Sequence, residues 1–554
     1  MAARAARCRR TAEARGCEGD QSRLDGAVRE AAGGSEAVPG VVRQVRTALV
    51  LVLLAALVGA PLVALARVAG ERGWSAAFDT LTSLETGTAV RNTLVLAVVV
   101  TVLGCACGTA VALTTRDAGR WLRLALLLPV LVPEFVLGFG WSQAYGPSGF
   151  ADDLLGVEVP GLLGPVGIVL VLTVHAVPLA YLAVAAGLAV RAEPDLERAA
   201  RASGAGPFVV LQTVLLPLLR LPLLAAGVLV FVTTVNSFAI PQVLGGYPTM
   251  TTLVYADLNL SADPDAFGQL TTVALAMAAL VLVVVGLADT VLGSSVVRTG
   301  TPGAVAGRSR RHWFLGAYTV FAIGLPMLVV LGVSITRGPG LAPVPANWTL
   351  ANYVTAFAGP TWPALLRTLL LAVLAAAILT VLSGLVVSLR RPVLGTVLTL
   401  CFAVPGSALA VGTLIAYGRL LGTSAAIILV VYLAKLWAVA YRPVLAGVDR
   451  LGADLVPAAR SSGARPFTAV RTVVLPPLST ALATAAGLVF VLASHELTMS
   501  SILYGPGSQT FAVVVLNQQQ LGDVGASAAL SVVLTAPLAL LAVLLLRGAR
   551  ARTS

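Results

Sequence analysis

Residues 195–217 read DLERAARASGAGPFVVLQTVLLP, and residues 454–476 read DLVPAARSSGARPFTAVRTVVLP. At an offset of 259, without a gap, 14 of the 23 positions are identical. They include Ala199/Ala458, Ala200/Ala459, Ser203/Ser462, Gly204/Gly463, Pro207/Pro466, Phe208/Phe467 and Pro217/Pro476. Each copy is small and basic, is interrupted by Gly and Pro, and stands between long apolar runs. A polar segment repeated at this distance implies a chain of two similar halves, and the flanking runs decide what kind of halves they are.

The chain has 554 residues, of which 58% are hydrophobic and only 11% charged. That is too little charge to cover a soluble surface, so the bilayer is its main solvent. Runs of about 20 apolar residues fit one crossing each. Twelve candidates follow: 46–67, 91–114, 122–142, 164–190, 218–243 and 269–292, then 313–334, 364–389, 393–417, 423–443, 477–500 and 525–546. The run from Thr47 is too long for a signal-peptide core and reads as a retained first span.

Arginine tests this count. One set of loops carries Arg116, Arg120, Arg123, Arg191, Arg198, Arg201, Arg298, Arg308, Arg310, Arg311, Arg390, Arg391, Arg442, Arg450, Arg460, Arg465 and Arg471, with Arg547, Arg550 and Arg552 in the tail. The opposite loops at 143–163, 244–268 and 501–524 have no Lys or Arg, and Arg72 and Arg337 are the exceptions on that side. The positive-inside rule then puts both termini and both copies of the repeated stretch in the cytoplasm. Six crossings separate the copies, so the halves share one orientation, a parallel repeat. The expected fold is an all-α polytopic membrane protein with about twelve transmembrane helices in two parallel six-helix halves. Its parts are a disordered basic tail at 1–45, a first half at 46–292, a linker at 293–312, a second half at 313–546 and a tail at 547–554. A net charge of +12 is accounted for by topology-holding loop arginines, and nucleic acid is not an expected partner. Cys8, Cys17, Cys105, Cys107 and Cys401 have no metal-ligand or disulfide spacing, and Cys105 and Cys107 read as small packing residues.

The repeated stretch has a local logic. The adjacent alanines favour helix and leave a thin surface. Gly204 and Gly463 allow a sharp turn between two short helices. Pro207 and Pro466 suit the first turn of the second helix. Phe208 and Phe467 offer apolar anchors to a partner. A polar hairpin copied by gene duplication is the plainer alternative.

Spacing adds a resemblance. Permease subunits of ATP-binding-cassette importers carry Glu-Ala-Ala, three residues, Gly, nine residues, Ile, any residue and Leu-Pro. Arg198-Ala199-Ala200, Gly204, Val214 and Leu216-Pro217 resemble that signature, as do Pro457-Ala458-Ala459, Gly463, Val473 and Leu475-Pro476. The Glu is replaced in both copies, and Glu197 lies one residue early in the first. The fused build resembles ferric-iron and thiamine importer permeases. So do Arg91-Asn92-Thr93 and Arg367-Thr368 at corresponding helix starts, FVTTVNSFAIPQVLGG (231–246) and FVLASHELTMSSILYGPG (490–507). The resemblance implies that each loop is a coupling helix docked on a nucleotide-binding subunit. It also implies an extracytoplasmic binding protein, location in the cytoplasmic (inner) membrane and transport by alternating access.

Ionisable groups at membrane depth are costly and default to functional candidates. Glu496 and His495 fall opposite Ser237 and Asn236 at the 259 offset. These four either line the translocation path or are held in helix packing. Lys435, the sole lysine, is expected to snorkel towards the cytoplasmic surface. Glu134 follows a proline that breaks its helix and either faces a cavity or lies in an irregular segment. His175 reads as a packing residue, and His312 sits at a boundary. No Walker A loop, catalytic triad or metal-ligand cluster is present, so the chain is expected to be no enzyme and to bind no cofactor. ATP would be used by two copies of a separate ATPase subunit. Ferric iron is the first expectation for the cargo, with thiamine next and phosphonate, polyamine or another small solute open. An ion-coupled secondary transporter is the rival class, disfavoured by the few charged groups at mid-membrane, and a membrane-embedded enzyme or scaffold is a weaker one.

Overall fold

The computed structural model describes residues 37–71, 73–115, 132–147, 149–156, 159–191, 194–261, 265–292, 312–338, 344–451 and 455–548, with a few isolated positions between. Among these, nine helices are long and apolar enough to cross a membrane: Arg43–Glu71, Leu84–Thr114, Pro165–Ala189, Pro207–Asn236, Ala266–Val291, Trp313–Ser334, Thr361–Ser388, Ala425–Asp449 and Phe467–Ser494. They overlie nine of the predicted spans. The predicted span at 393–417 is a broken one, Val393–Ala403 and Gly406–Leu421 meeting at 95°. The helix Val524–Gly548 overlies the last. Part of the span predicted at 122–142 lies outside the described residues, and its described end is the helix Glu134–Tyr145. The linker, apart from His312, and the C-terminal tail beyond Gly548 also lie outside them. The first helix begins at Ala37, inside the tail expected to be disordered. It is tied down there by Arg43, whose Nη2 donates to the Leu389 carbonyl at 2.9 Å, at the end of a second-half helix.

The two halves are interlocked. The first helix of each half packs on the other: Val50, Leu57 and Leu65 share a core with Leu409, Val411 and Ile427, and Leu315 and Ile323 share one with Phe135 and Ile168. At Gly412 the fit is close enough that a Cβ would come within 2.5 Å of the Pro61 carbonyl oxygen.

Proline shapes these crossings. Four π-turns interrupt the helices, at Ala55–Gly59, Leu211–Leu215, Val320–Gly324 and Val470–Val474. Each lies two residues before a proline, namely Pro61, Pro217, Pro326 and Pro476. In each, the residue just before the proline donates its N–H to the carbonyl five back, for example Ala60 to Ala55 and Leu325 to Val320. A proline ring would clash with the carbonyl four back, and the widened turn relieves this. The turn leaves carbonyls over. Ala56 would be served by Ala60 in an α-helix, but Ala60 is engaged and Pro61 has no N–H. The Tyr417 hydroxyl, from the other half, donates to it at 2.6 Å. In the second half the Phe321 carbonyl is left in the same way and takes the Tyr145 hydroxyl at 2.6 Å. The next carbonyl, Ala322, takes Trp141 Nε1 at 3.0 Å. An orphan carbonyl in lipid has no water to turn to. Tyr417→Phe is therefore expected to cost about 1–3 kcal/mol, read as a lower unfolding temperature in detergent, and an unchanged melt would refute this role.

Threonines tie the loops to the helices with the same symmetry. Thr93 Oγ1 accepts from the Met250 N–H at 2.9 Å, and Thr368 Oγ1 accepts from the Phe511 N–H at 2.8 Å. Beside them, Asn92 Nδ2 donates to the Pro248 carbonyl at 2.9 Å and Arg367 Nη1 to the Gln509 carbonyl. Each caps the start of a helix, Met250–Asn259 or Phe511–Gln520.

Candidate coupling loops and intramembrane polar sites

The repeated stretch folds as its residues demand. Helix Pro194–Ala202 turns into Pro207–Val210, and Leu455–Ser461 turns into Pro466–Ala469. Gly204 has φ 86° and Gly463 φ 84°, the left-handed region. Gly204 N–H donates to the Arg201 carbonyl and Ala205 N–H to Ala200, both at 3.0 Å. Gly463 to Arg460 and Ala464 to Ala459 repeat this, also at 3.0 Å. This pair of bonds closes a helix on a glycine with its last carbonyls satisfied. Ala199 and Ala458 are exposed, Ala200 and Ala459 half-buried, and Pro217 and Pro476 exposed. Phe208 is 66% and Phe467 76% exposed. The two loops differ in charge. In the first, Arg198 Nη1 pairs with Asp195 Oδ1 at 2.9 Å. The second carries Asp454 at the matching position but has Pro457 in place of the arginine, and its Arg460, Arg465 and Arg471 outnumber its acidic residues.

Asn236, Ser237, His495 and Glu496 sit at helix breaks. The fifth-span helix of the first half ends at Asn236, where Ser237 turns extended. The reason is local: Pro241 has no N–H for the Ser237 carbonyl, which takes Thr251 Oγ1 instead at 2.8 Å. The corresponding helix ends at Ser494, and His495 and Glu496 occupy the break. No proline stands there. The Glu496 carboxylate caps the next helix, accepting from the Met499 N–H at 2.8 Å, the Ser500 N–H at 3.0 Å and Ser500 Oγ at 2.9 Å. A carboxylate at a helix start also meets the favourable end of its dipole. The Tyr432 hydroxyl lies 2.8 Å from Ser500 Oγ.

Lys435 does not snorkel. Its Nζ donates to the carbonyls of Phe402, at 2.7 Å, and Val404, and lies 5.1 Å from the Phe402 ring centre. It is within electrostatic range of Glu496. The expectation failed because the 95° break before Gly406 frees carbonyls in reach of the ammonium. These outbid a distant surface.

His175 is not a bland packing residue either. Its Nε2 lies 3.5 Å from Glu134 Oε1, and Ser237 Oγ donates to Glu134 Oε2 at 2.9 Å. The structure thus joins Ser237 to Glu134 and His175, whereas Glu496 and Lys435 are each held by partners of their own. His495, at the fifth-span break of the second half, lies within electrostatic range of His175. The halves explain the pairing. Tyr181 and Tyr441, like Gly187 and Gly447, stand 260 apart on the fourth-span helices, and at that spacing His175 corresponds to Lys435. Pro133 and Pro405 each stand just before a helix start. A basic side chain thus stands at the same place on the fourth span of both halves. The carboxylate stands at the start of the helix Glu134–Tyr145 in one half and at the fifth-span break in the other. Among the described residues no group of three or more His, Cys, Asp or Glu is arranged to hold a metal. Cys105, Cys107 and Cys401 are free.

The model of the family described as binding-protein-dependent transport system inner membrane component matches the chain twice, at residues 102–293 and 379–553. The chain is similar to the ferric transport system permease protein FbpB of Actinobacillus pleuropneumoniae, 25% identical over 79% of this chain and 68% of that one. It is similar to the thiamine transport system permease protein ThiP of Brucella abortus, 30% identical over 50% of this chain and 52% of that one. It is also similar to the putative 2-aminoethylphosphonate transport system permease protein PhnV of Salmonella typhimurium, 29% identical over 38% of this chain and 83% of that one.

Proposed function

Because this chain belongs to the family of binding-protein-dependent transport system inner membrane components, we propose that it forms the whole translocation path for ferric iron in an ATP-binding-cassette importer. One observation carries the cargo. The likeness to the ferric permease runs over 79% of the chain, whereas that to the thiamine permease covers 50% and that to the phosphonate permease 38%. Thiamine is the second reading, favoured by the higher identity, 30%, within its shorter match.

In this reading both termini and both loops are cytoplasmic. Each loop offers its exposed Phe208 or Phe467 to one copy of a separate ATPase subunit. A binding protein delivers cargo to the opposite face and supplies the affinity. Closure of the ATPase pair moves the loops, and the π-turns that join them to the fifth spans pass the motion to the breaks at Asn236 and Glu496. Cells lacking the chain are expected to lose most high-affinity uptake of radiolabelled ferric iron and keep thiamine uptake. The reverse pattern would establish thiamine, and loss of neither would remove both cargoes.

A further inference from the structure

The two polar sets at membrane depth share a basic side chain at the same place on the fourth span, His175 or Lys435, yet one is closed and the other open. In the second half the Glu496 carboxylate accepts three hydrogen bonds and Lys435 donates to two carbonyls. In the first half Glu134 takes the Ser237 hydroxyl and faces His175 across 3.5 Å. Its side chain is 31% exposed and that of His175 15%. Nearby, His175 Nδ1, Asn236 Oδ1 and His495 Nδ1 are buried atoms without a hydrogen-bond partner among the described residues. Buried polar atoms are ordinarily paired, and several unpaired ones on adjoining elements of both halves mark a place where something polar is met.

The chemistry of these atoms says what. With the His175 Nε2 proton turned to the Glu134 carboxylate, Nδ1 keeps its lone pair. Asn236 Oδ1 is an acceptor, and Glu134 brings a negative charge. Lys435, the sole lysine, is spent on the other set. The open set therefore presents acceptors and a negative charge, which suit a cation and repel an anion. It is not a closed chelate, because no preformed metal cluster exists among the described residues. That fits a solute met through its hydration shell and passed on.

We infer that Glu134, His175, Asn236 and His495 form a way-station for a cationic solute, a hydrated metal ion or an organic cation, on the path through the membrane. This rests on the permease reading and narrows its cargo, since an anionic phosphonate would meet a carboxylate there.

The test uses the full chain, with its ATPase subunit, in lipid nanodiscs and terbium(III) as the probe. Trp141 lies two turns from Glu134 on the same helix, about 10 Å along its axis, close enough to sensitise terbium luminescence. Saturable tryptophan-excited luminescence is expected. Glu134→Gln should weaken it at least tenfold and Asn236→Leu about threefold, with Glu85→Gln, on an exposed helix start, as the unchanged control. Competition by thiamine assigns an organic cation to the site, and its absence assigns a metal ion. Competition by 2-aminoethylphosphonate, or equal binding by wild type, Glu134→Gln and Asn236→Leu, overturns the inference. Co-purification of the ATPase subunit, scored on the same samples, tests the permease reading separately and confirms that each variant is folded.

Discussion

Gly463→Asp is expected to cut ATP-driven uptake at least tenfold while leaving the chain in the membrane at normal abundance. Gly463 sits at φ 84°, where an L side chain costs about 1–2 kcal/mol. A Cβ there would meet nothing within 4 Å, so the loop bears that strain without a clash. The damage falls on docking. The turn leaves Phe467 exposed, and Arg460, Arg465 and Arg471 flank it along the chain with positive charge. An aspartate at the turn alters both the angle and the local field. Gly204→Asp should act in the same direction but less strongly, because the first loop already balances Arg198 and Arg201 with Asp195 and Glu197, whereas the second has only Asp454 against three arginines. Full uptake by the Gly463→Asp protein, with ATPase activity still stimulated by the loaded binding protein, would remove this loop from coupling.

Lys435→Met is expected to be the most destabilising single substitution at membrane depth. It takes the donor from the Phe402 and Val404 carbonyls at the bend and the counter-charge from Glu496. Carbonyls left without partners in lipid cost about 1–3 kcal/mol each. For the two carbonyls a loss of about 2–5 kcal/mol is expected, seen as a collapse of the thermal transition in detergent. Lys435→Met with Glu496→Gln should recover part of it, since no unpaired charge remains. A Lys435→Met protein that melts with the wild type would show that the bend needs no ammonium.

The paired loops were readable because their signals are local. A helix, a glycine in the left-handed region, a proline at the next first turn and an exposed phenylalanine lie within about fifteen residues. Chain stereochemistry alone enforces that order. The π-turns were legible in principle, since each precedes a proline by two residues, yet periodicity cannot report one added residue in an all-apolar run. The open polar set was half-legible. Glu134 after Pro133 was visible as a charge at a break, but its partners His175 and Ser237 lie 41 and 103 residues on. Nothing in the spacing tells a satisfied Glu496 from an under-satisfied Glu134.

By itself the sequence determined two parallel halves of membrane-crossing helices, where most of them run, and the paired loops with their turns. Apolar length, arginine asymmetry and turn stereochemistry act over one helix or less, so they are written in the chain's order. Only the tertiary structure decided that the first helices cross to the opposite half, that Tyr145 and Tyr417 satisfy the carbonyls freed there, and that Lys435 serves a bend instead of a surface. It alone separated the closed carboxylate from the open one. The reason is physical: in lipid each polar group must find its partner within the protein, and which partner comes within 3 Å is settled by packing between elements that the sequence keeps far apart.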